Sequence, residues 1–508
     1  MKTIGELWEH ALTSYADLPA VRWLEKKNVK ERSYRELGEG IAAVRSGLAE
    51  EGFHKEHIAL IGTSSVEWVT AHFAITTGDN VAVPLDAGLP AEDLIELLNR
   101  AHAKALFLSP KNKKLAEQVR VSCPEVQKIW LLTEAEDAGM ETIEDVKASG
   151  AGKEKEFHAQ PEDVATIIYT SGTTGKSKGV MLTQENIATN VESVQYEKEP
   201  GCVMMSVLPI HHAFCLVMDW LKGFSLGAVV CINDSYMHMV RNMGIFKPEV
   251  VLMVPMMIEM IYKRLAAADP SIPKSVLAEK VFGGNLEIIF TGGAHLDPYY
   301  IDRFAEYGVE VYEGYGMSEC SPVISSNTPE HHKKGSIGKP LPNVEVRFED
   351  GEIQVRGSSV MKGYFEMPQE TEETLKDGWL HTGDKGYIDE DGFLFINGRV
   401  KNLIILSNGE NISPEEIENK LALDPLVGEV VVTGENNALT ARIYADQDVI
   451  KMKEISEDAV KTGLQEVLDN YNRTQPTYRQ ITGLVVRKNP FIRNATGKIK
   501  RTEAEIDG

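Results

Sequence analysis

The stretch from about residue 57 to 110 alternates between short apolar runs and amphipathic segments, and this alternation constrains the fold more than any other feature. HIALIG, NVAVPL and KALFLSP have the pattern of buried strands, and the segments between them have helical spacing, with Ser65 at a cap position. Strands joined by helices pair in parallel, because the helix carries the chain back across the sheet. Residues from about 161 to 330 continue this pattern, which predicts a mixed α/β fold.

The second half of the chain changes character twice. From about 335 to 397, short alternating strands are joined by Asp-Gly and Asn-Gly turns, which predicts a β-rich subdomain. A boundary follows at 398–402, and a small α+β pattern then begins with a predicted capping box formed by Ser413, Pro414 and Glu416. Because 508 residues exceed one hydrophobic core, we expect a large N-terminal domain over 1–397, with two α/β subdomains and the β-rich one, and a small C-terminal domain over 403–508.

The net charge limits the possible partners, and the cysteines and apolar runs bear on the cellular compartment. Lys and Arg total 53 and Asp and Glu total 76, a formal net charge of −23, which would repel nucleic acid and anionic membranes. The five cysteines are scattered without C-x-x-C spacing, as in a reducing compartment. The apolar run from Val250 to Ile258 is too short for a membrane span, which needs about 20 residues. We expect a cytoplasmic protein without an integral membrane segment.

The sharpest motif is YTSGTTGKSKGVMLT, from Tyr169 to Thr183. It lies between two apolar runs, which predicts a loop joining two strands. Its glycines, hydroxyls and lysines supply backbone donors, side-chain donors and positive charge, the composition of a phosphate-binding loop. A Walker loop is excluded, because Thr170 stands where its first glycine is required and a strand follows instead of a helix. The plain alternative is a polar turn.

Five further segments with distinctive sequences follow this motif along the chain. They are TGGAHL (291–296), YEGYGMSE (312–319), HTGD (381–384), INGRVKNLIILSNGENISPEEIE (396–418) and NATGKIKR (494–501). Together with the phosphate loop, they resemble the signatures of the superfamily of acyl-CoA synthetases, adenylation domains and luciferases. The similarity is greatest to fatty-acyl-CoA ligases. It implies an acid–thiol ligase that uses ATP and Mg²⁺ to make an acyl-adenylate and then an acyl thioester.

The resemblance also assigns roles to individual residues. It implies that the β- and γ-phosphates are held by Thr170, Ser171, Gly172, Thr173, Thr174, Gly175 and Lys178. Gly292, Gly293, Glu313, Gly314 and Tyr315 would hold adenine. Ser318 and Glu319 would contact the α-phosphate and Mg²⁺, Asp384 would accept the ribose hydroxyls, and Arg399 would reach the ribose and phosphate. The chemistry needs this positive charge and positioning, because an ionised carboxylate must attack an anionic phosphate.

The remaining roles concern catalysis and domain movement. By resemblance, Lys498 bridges the substrate carboxylate and the α-phosphate, and its plain alternative is a solvated lysine. Lys401 occupies the pivot of a hinge at 398–402 that would make the C-terminal domain a mobile lid. Ser407, Gly409 and Glu410 would then line the thiol channel. His212 in LPIHHAF would lie where the carboxylate and the thiol meet.

The substrate and acceptor are less constrained. A medium- or long-chain fatty acid is the first expectation and an aryl acid the second, with coenzyme A as co-substrate. An adenylating enzyme that loads the phosphopantetheine arm of a carrier protein is an alternative, and a non-catalytic acyl-AMP-binding paralogue is a remote one. Luciferase-type oxidation is not excluded by motif. We expect a monomer or a homodimer, with small molecules and not nucleic acid as partners.

Overall fold

The structure is a computed structural model that describes residues 1–133, 139–153, 157, 159–170, 177–405, 411–435, 438–493 and 499–501. The chain divides into two compact units. The first consists of Met1–Val346 with Val355–Leu380, and the second of Arg347–Gln354 with His381–Gly508. The predicted boundary at residue 397 and the predicted hinge stay predictions.

Helices and strands alternate through most of the chain. The helices are α1 Ile4–Tyr15, α2 Tyr34–Glu50, α3 Val66–Thr76, α4 Ala91–Arg100, α5 Leu115–Ser122, α6 Ile143–Gly150, α7 Gln184–Ser193, α8 Lys222–Ser225, α9 Met239–Phe246, α10 Pro255–Ala266, α11 Lys274–Phe282, α12 Pro298–Ala305, α13 Pro368–Thr374, α14 Pro414–Leu421, α15 Gln447–Lys453 and α16 Glu457–Arg473. The strands are β1 Pro19–Glu25, β2 Asn28–Ser33, β3 His57–Ile61, β4 Val81–Leu85, β5 Ala105–Leu108, β6 Lys128–Leu131, β7 Val164–Thr170, β8 Lys178–Thr183, β9 Val203–Ser206, β10 Val229–Ile232, β11 Val250–Met253, β12 Ile288–Thr291, β13 Glu310–Gly316, β14 Val323–Ser326, β15 Lys339–Pro340, β16 Val344–Glu349, β17 Glu352–Gly357, β18 Gly363–Tyr364, β19 Leu375–Lys376, β20 Trp379–Ile388, β21 Leu394–Arg399, β22 Ile404–Ile405, β23 Asn411–Ile412, β24 Val427–Glu435, β25 Ala438–Ala445 and β26 Ile481–Arg487.

A seven-stranded sheet in the first unit has the order β18-β8-β7-β4-β3-β5-β6. Strands β3, β4 and β5 are the three runs predicted between residues 57 and 110, and they pair in parallel as expected. Ser65 caps α3 by accepting a hydrogen bond from the backbone N–H of Trp68. Leu94, Leu97 and Leu98 of α4 are buried in the core beside this sheet. The alternating pattern therefore predicted both the elements and their pairing.

A nine-stranded sheet in the same unit has the order β15-β14-β13-β12-β11-β9-β10-β1-β2. From β13 to β1 each strand runs parallel to its neighbour. The carboxyl ends of these strands therefore lie along one edge of the sheet, where open parallel sheets bind ligands.

The second unit contains a small α+β core. Strands β24, β25 and β26 form a three-stranded sheet whose apolar face packs on α14 and α16. Ser413 and Pro414 begin α14 as predicted, but the predicted capping box is wrong, because the Ser413 hydroxyl makes no cap hydrogen bond. It donates instead to Oε2 of Glu415 at 3.0 Å.

The cysteines and helices bear on two further expectations. All five cysteines are free, in agreement with their scattered spacing, and all five are buried. Within the described ranges, every helix is too short or too polar to cross a bilayer.

Candidate active site

Three predicted site segments follow the carboxyl ends of parallel strands in the nine-stranded sheet. Gly292 comes directly after β12, Ser318 follows β13, and His212 lies in the loop after β9. Strand β11 lies between β9 and β12 and is parallel to both. The topology therefore brings segments that are distant in sequence to one edge of the sheet.

The glycines of TGGAHL permit a close approach between two chains. Thr291 lies opposite Glu313 in the parallel register of β12 and β13. A Cβ on Gly292 would lie 3.1 Å from the backbone oxygen of Gly314 and 3.9 Å from the ring of Phe214. Because the first of these distances is tighter than ordinary contact, a side chain here would crowd the strand end. The absence of a side chain at Gly292 therefore allows the end of β12 to lie close to β13.

Glu313 of β13 is almost fully buried. Its Oε1 accepts a hydrogen bond from the backbone N–H of Leu296 at 3.1 Å. Its Oε2 has no hydrogen-bond partner among the residues that the structure describes. Burial raises the pKa of the Glu313 carboxyl to about 8, so the protonated form is favoured at neutral pH. A protonated carboxyl could donate a hydrogen bond, which an ionised one could not.

The apolar runs on either side of the phosphate motif form strands β7 and β8, as predicted, and these two strands pair as an antiparallel hairpin. Thr170 at the end of β7 lies opposite Lys178 at the start of β8 in antiparallel register. The predicted phosphate ligands Ser171, Gly172, Thr173, Thr174 and Gly175 lie outside the described residues. The hairpin stem is held by Arg100, whose guanidinium donates to the backbone oxygen of Ser177 at 2.7 Å. Sequence analysis did not single out Arg100.

Tyr364 connects two of the predicted site residues. The hydroxyl of Tyr364 donates to Oε1 of Glu319 at 2.8 Å. The ammonium of Lys178 lies 4.6 Å from the centroid of the Tyr364 ring. Strand β18, which contains Tyr364, pairs with β8. The structure thus brings Lys178 and Glu319 to one aromatic side chain that the sequence analysis placed only in the β-rich segment.

Hydrogen bonds from Asn190 hold the turn that carries Ser318 and Glu319 in place. Both lie in a 3₁₀ turn, 318–320, directly after β13. Asn190 of α7 is fully buried and donates to the backbone oxygens of Cys320 at 3.2 Å and Val323 at 2.8 Å. Its Oδ1 also accepts from the backbone N–H of Val323. Asn190 therefore connects the turn to α7, the helix that follows β8. Asn190 lies outside the motifs identified in the sequence.

His211 and His212 are both mostly buried beside Asp86. Their ring centroids are 4.2 Å apart, and Nε2 of His211 lies 3.9 Å from Oδ2 of Asp86. Burial lowers the pKa of His211 to about 4 and also lowers the pKa of His212. Both imidazoles are therefore neutral at pH 7, and His212 could offer one hydrogen bond without adding positive charge.

In the second unit, Asp384 and Arg399 form a pair across β20 and β21. Arg399 Nε donates to Oδ1 of Asp384 at 2.8 Å. Lys401 lies in the 3₁₀ turn 400–402 that follows β21. Ser407, Gly409 and Glu410 of the predicted thiol channel lie outside the described residues.

Lys498 also lies outside the described residues, but the chain on either side of it is anchored. Arg493 and Ile499 form an antiparallel bridge. Arg493 pairs with Glu429 at 2.8 Å, and Arg501 forms a mostly buried ion pair with Glu418.

The donor set around Glu319 fits a magnesium ion. No group of three or more His, Cys, Asp or Glu side chains is gathered in the part of the chain that the structure describes. Mg²⁺ in nucleotide sites usually binds one or two carboxylates together with phosphate oxygens and water. The Glu319 carboxylate and the neighbouring Ser318 hydroxyl supply such oxygens.

Comparison with known proteins identifies the family of this chain. Residues 8–365 match the family model of AMP-binding enzymes, and residues 401–507 match that of the AMP-binding enzyme C-terminal domain. The long-chain-fatty-acid–CoA ligase FadD15 of Mycobacterium bovis is 28% identical over 448 residues, covering 79% of this chain and 74% of that protein. The 2-succinylbenzoate–CoA ligase of Bacillus cereus is 30% identical over 461 residues, covering 85% of this chain and 89% of that protein.

The fold is shared with solved structures. The structure of ATP-bound MatB from Rhodopseudomonas palustris superimposes with a TM-score of 0.80 at 26% identity, covering 99% of this chain and 98% of that one. The predicted α/β class and the predicted resemblance are confirmed by these matches. The chain belongs to the family of AMP-binding enzymes, among whose members are acid–CoA ligases.

Proposed function

We propose that this protein is an ATP-dependent, AMP-forming acid–CoA ligase whose substrate is a medium- or long-chain fatty acid. The observation that carries the proposal is the convergence of Lys178 and Glu319 on Tyr364. An ammonium and a carboxylate from distant parts of the chain are thereby placed together, as a site for phosphate and a divalent cation requires. The family membership and the CoA ligases among the relatives support the same activity.

The first half-reaction joins the acid to AMP. The substrate carboxylate is ionised at neutral pH and needs no base. Its oxygen attacks the α-phosphorus of ATP, the bond to the β-phosphate oxygen breaks, and pyrophosphate leaves. Lys178 and the loop from Thr170 to Gly175 would hold the β- and γ-phosphates, and Lys498 would lie between the carboxylate and the α-phosphate. These residues act by offsetting the repulsion between two anions.

Mg²⁺, when bound with ATP, neutralises part of the phosphate charge. Glu319 and Ser318 are the described residues that would hold it. Gly292, Gly293, Glu313, Gly314 and Tyr315 would hold adenine. Asp384 and Arg399 are proposed to bind the ribose and its phosphate.

The second half-reaction transfers the acyl group to a thiol. The sulfur of coenzyme A attacks the acyl carbon, AMP leaves with the former carboxylate oxygen, and the thiol proton is released to solvent. Ser407, Gly409 and Glu410 are proposed to line the approach of the thiol, with Lys401 as the pivot. Neutral His212 would donate or accept one hydrogen bond near the reacting carbon.

The acyl substrate is inferred from the segment that follows β9. The apolar residues Ile210, Ala213, Leu216 and Val217, which are close in sequence to the two neutral histidines, are all buried. An apolar acyl chain suits such surroundings better than a charged one. An aryl acid is the second candidate, because the 2-succinylbenzoate–CoA ligase of Bacillus cereus is 30% identical to this chain.

A panel of acids tests both proposals. Pyrophosphate release is measured with saturated fatty acids of increasing length and with benzoate derivatives, each with coenzyme A or a phosphopantetheinyl carrier protein as acceptor. We expect release only with an acid present, the highest kcat/KM with a fatty acid, and thioester formation on coenzyme A. A preference for aryl acids would overturn the substrate, and transfer only to the carrier protein would overturn the acceptor.

A further inference from the structure

The buried hydroxyl of Tyr364 is satisfied by a residue of the candidate site. Tyr364 is only 5% exposed, and its hydroxyl donates to Oε1 of Glu319 at 2.8 Å. A tyrosine phenol is protonated at neutral pH and is therefore a hydrogen-bond donor. One carboxylate oxygen of Glu319 is thus oriented before any cation binds.

The ring of the same residue contacts the ammonium of Lys178. Nζ of Lys178 lies 4.6 Å from the ring centroid, within the range of a cation–π interaction. Lysine has a flexible four-carbon chain, and contact with an aromatic face limits where its charge can lie. Tyr364 therefore restrains a carboxylate through its hydroxyl and an ammonium through its ring.

The backbone of Tyr364 is itself held firmly. Lys362 and Phe365 donate backbone hydrogen bonds to Met181 and Gly179 of β8, at 3.0 Å and 2.7 Å. The backbone N–H of Met361 donates to the backbone oxygen of Glu319 at 2.8 Å. The short segment 361–365 thus bridges the phosphate hairpin and the turn that carries Glu319, with the Tyr364 side chain at its centre.

We propose that Tyr364 is a positioning residue for Mg²⁺ and ATP, which orients Glu319 through its hydroxyl and Lys178 through its ring. This inference rests on the proposed function, because it assigns Glu319 to the cation and Lys178 to the phosphates. The plain alternative is that the hydroxyl merely satisfies a buried donor, as the Tyr34 hydroxyl does on the backbone oxygen of Ala228 at 2.7 Å. If Tyr364 is a positioning residue, loss of its hydroxyl changes the Mg²⁺ dependence of ATP binding. If its role is only structural, that dependence stays the same.

Equilibrium binding of ATP over a range of Mg²⁺ concentrations, measured by calorimetry without acid, separates these roles. Tyr364→Phe removes the hydroxyl and keeps the ring. We expect it to raise the Mg²⁺ concentration for half-maximal ATP binding about tenfold, with ATP affinity at saturating Mg²⁺ changed less than about threefold. Tyr364→Leu removes the ring as well and should weaken that affinity a further threefold to tenfold, roughly the range of a cation–π contact.

Tyr34→Phe is the matched control, because it also removes a buried tyrosine hydroxyl from the first unit. It should lower the melting temperature about as much as Tyr364→Phe and leave the Mg²⁺ dependence unchanged. If Tyr364→Phe is also unchanged in Mg²⁺ dependence, Tyr364 has only a structural role. If Tyr364→Phe does not fold, Tyr364→His, which keeps a ring and a donor, should retain the wild-type Mg²⁺ dependence within about threefold; a larger shift contradicts the inference.

A double-mutant cycle with Glu319→Gln tests the route of the effect. In the Glu319→Gln background, Tyr364→Phe should cause no further change in Mg²⁺ dependence, because the oriented carboxylate is already lost. An equal shift in both backgrounds would show that Tyr364 does not act through Glu319. Failure of the wild-type protein to bind ATP in a Mg²⁺-dependent way would overturn the proposed function itself, before any variant is compared.

Discussion

Arg399 and Asp384 lie opposite each other in the antiparallel register of β20 and β21, and Nε of Arg399 donates to Oδ1 of Asp384 at 2.8 Å. The Asp384 carboxylate is buried, whereas the Arg399 side chain is about half exposed, at 48%. A carboxylate held by an arginine is fixed in orientation. Such an oriented carboxylate suits the ribose-binding role proposed for Asp384.

Asp384→Asn should weaken ATP binding. Replacing one carboxylate oxygen by an amide removes a charged acceptor, and hydrogen bonds to charged groups contribute about 1.5–3 kcal/mol. We expect the KM for ATP to rise roughly tenfold to a hundredfold. Steady-state kinetics with varied ATP checks this, with Asp469→Asn on the exposed face of α16 as the control. Equal KM values for the two variants would remove Asp384 from the nucleotide site.

Lys178→Met should lower kcat/KM for ATP by about a hundredfold or more, because its ammonium is proposed to offset phosphate charge in the transition state. Lys362→Met is the matched control: Lys362 is exposed and lies beside the same strand, with its backbone N–H donating to Met181 of β8. Initial rates of pyrophosphate release are measured for both. The assignment fails if the two variants lose activity to the same extent.

Lys498→Ala should separate the two half-reactions. Lys498 is proposed to act only while the carboxylate meets the α-phosphate, so acid-dependent ATP–pyrophosphate exchange should fall about a hundredfold or more. Thioester formation from supplied acyl-AMP should stay within about threefold of wild type. Lys488→Ala, an exposed lysine of the same unit, should affect neither. Similar losses in both half-reactions would contradict the role of Lys498.

Asp219 should make stability depend on pH. Its Oδ2 accepts hydrogen bonds from Ser206 at 2.9 Å and Cys215 at 3.4 Å, and burial raises its pKa to about 7. The folded protein therefore holds this proton between about pH 4 and pH 7, whereas the unfolded chain releases it. Stability is full below about pH 4 and falls as the pH rises through 7.

Asp219→Asn removes this titration and can still accept from Ser206. The unfolding free energy of the variant relative to wild type, measured by thermal unfolding, should therefore rise by about 3 kcal/mol between pH 5 and pH 7 and level off above pH 7. Other titrating groups are common to both proteins and cancel in the difference. A difference that is constant across this range would show that Asp219 is ionised in the folded protein throughout.

Much of the fold could be read from local patterns. The strands and helices between residues 57 and 110, the hairpin around the phosphate motif and the start of α14 at Pro414 each have a sequence signal within a few residues. The signal for the Ser413 capping box was misleading, because a neighbouring carboxylate, Glu415, competed for the hydroxyl. A local sequence pattern does not show which of two nearby groups a hydroxyl will form its hydrogen bond with.

The sequence predicted only those site residues that lie within recognisable motifs. Lys178 and Glu319 stand in recognisable segments, but Tyr364 and Asn190 do not. Tyr364 contacts Glu319, which lies 45 positions away, and Asn190 contacts Cys320, which lies 130 positions away, so neither contact has a local sequence signal. The pairing of β18 with β8 that places Tyr364 depends on the tertiary fold. Burial of Glu313 and Asp219, and the resulting rise of their pKa values, likewise follows from packing that one sequence does not reveal.

The fate of the carboxylate oxygens tests the central claim most directly. A fatty acid labelled with ¹⁸O in both carboxylate oxygens is converted to its thioester with ATP, Mg²⁺ and coenzyme A. The masses of the products are then measured by mass spectrometry. An acyl-adenylate leaves one labelled oxygen in AMP and one in the thioester, and we expect that distribution. Label in inorganic phosphate, or unlabelled AMP, would contradict attack of the carboxylate on the α-phosphate and with it the proposed function.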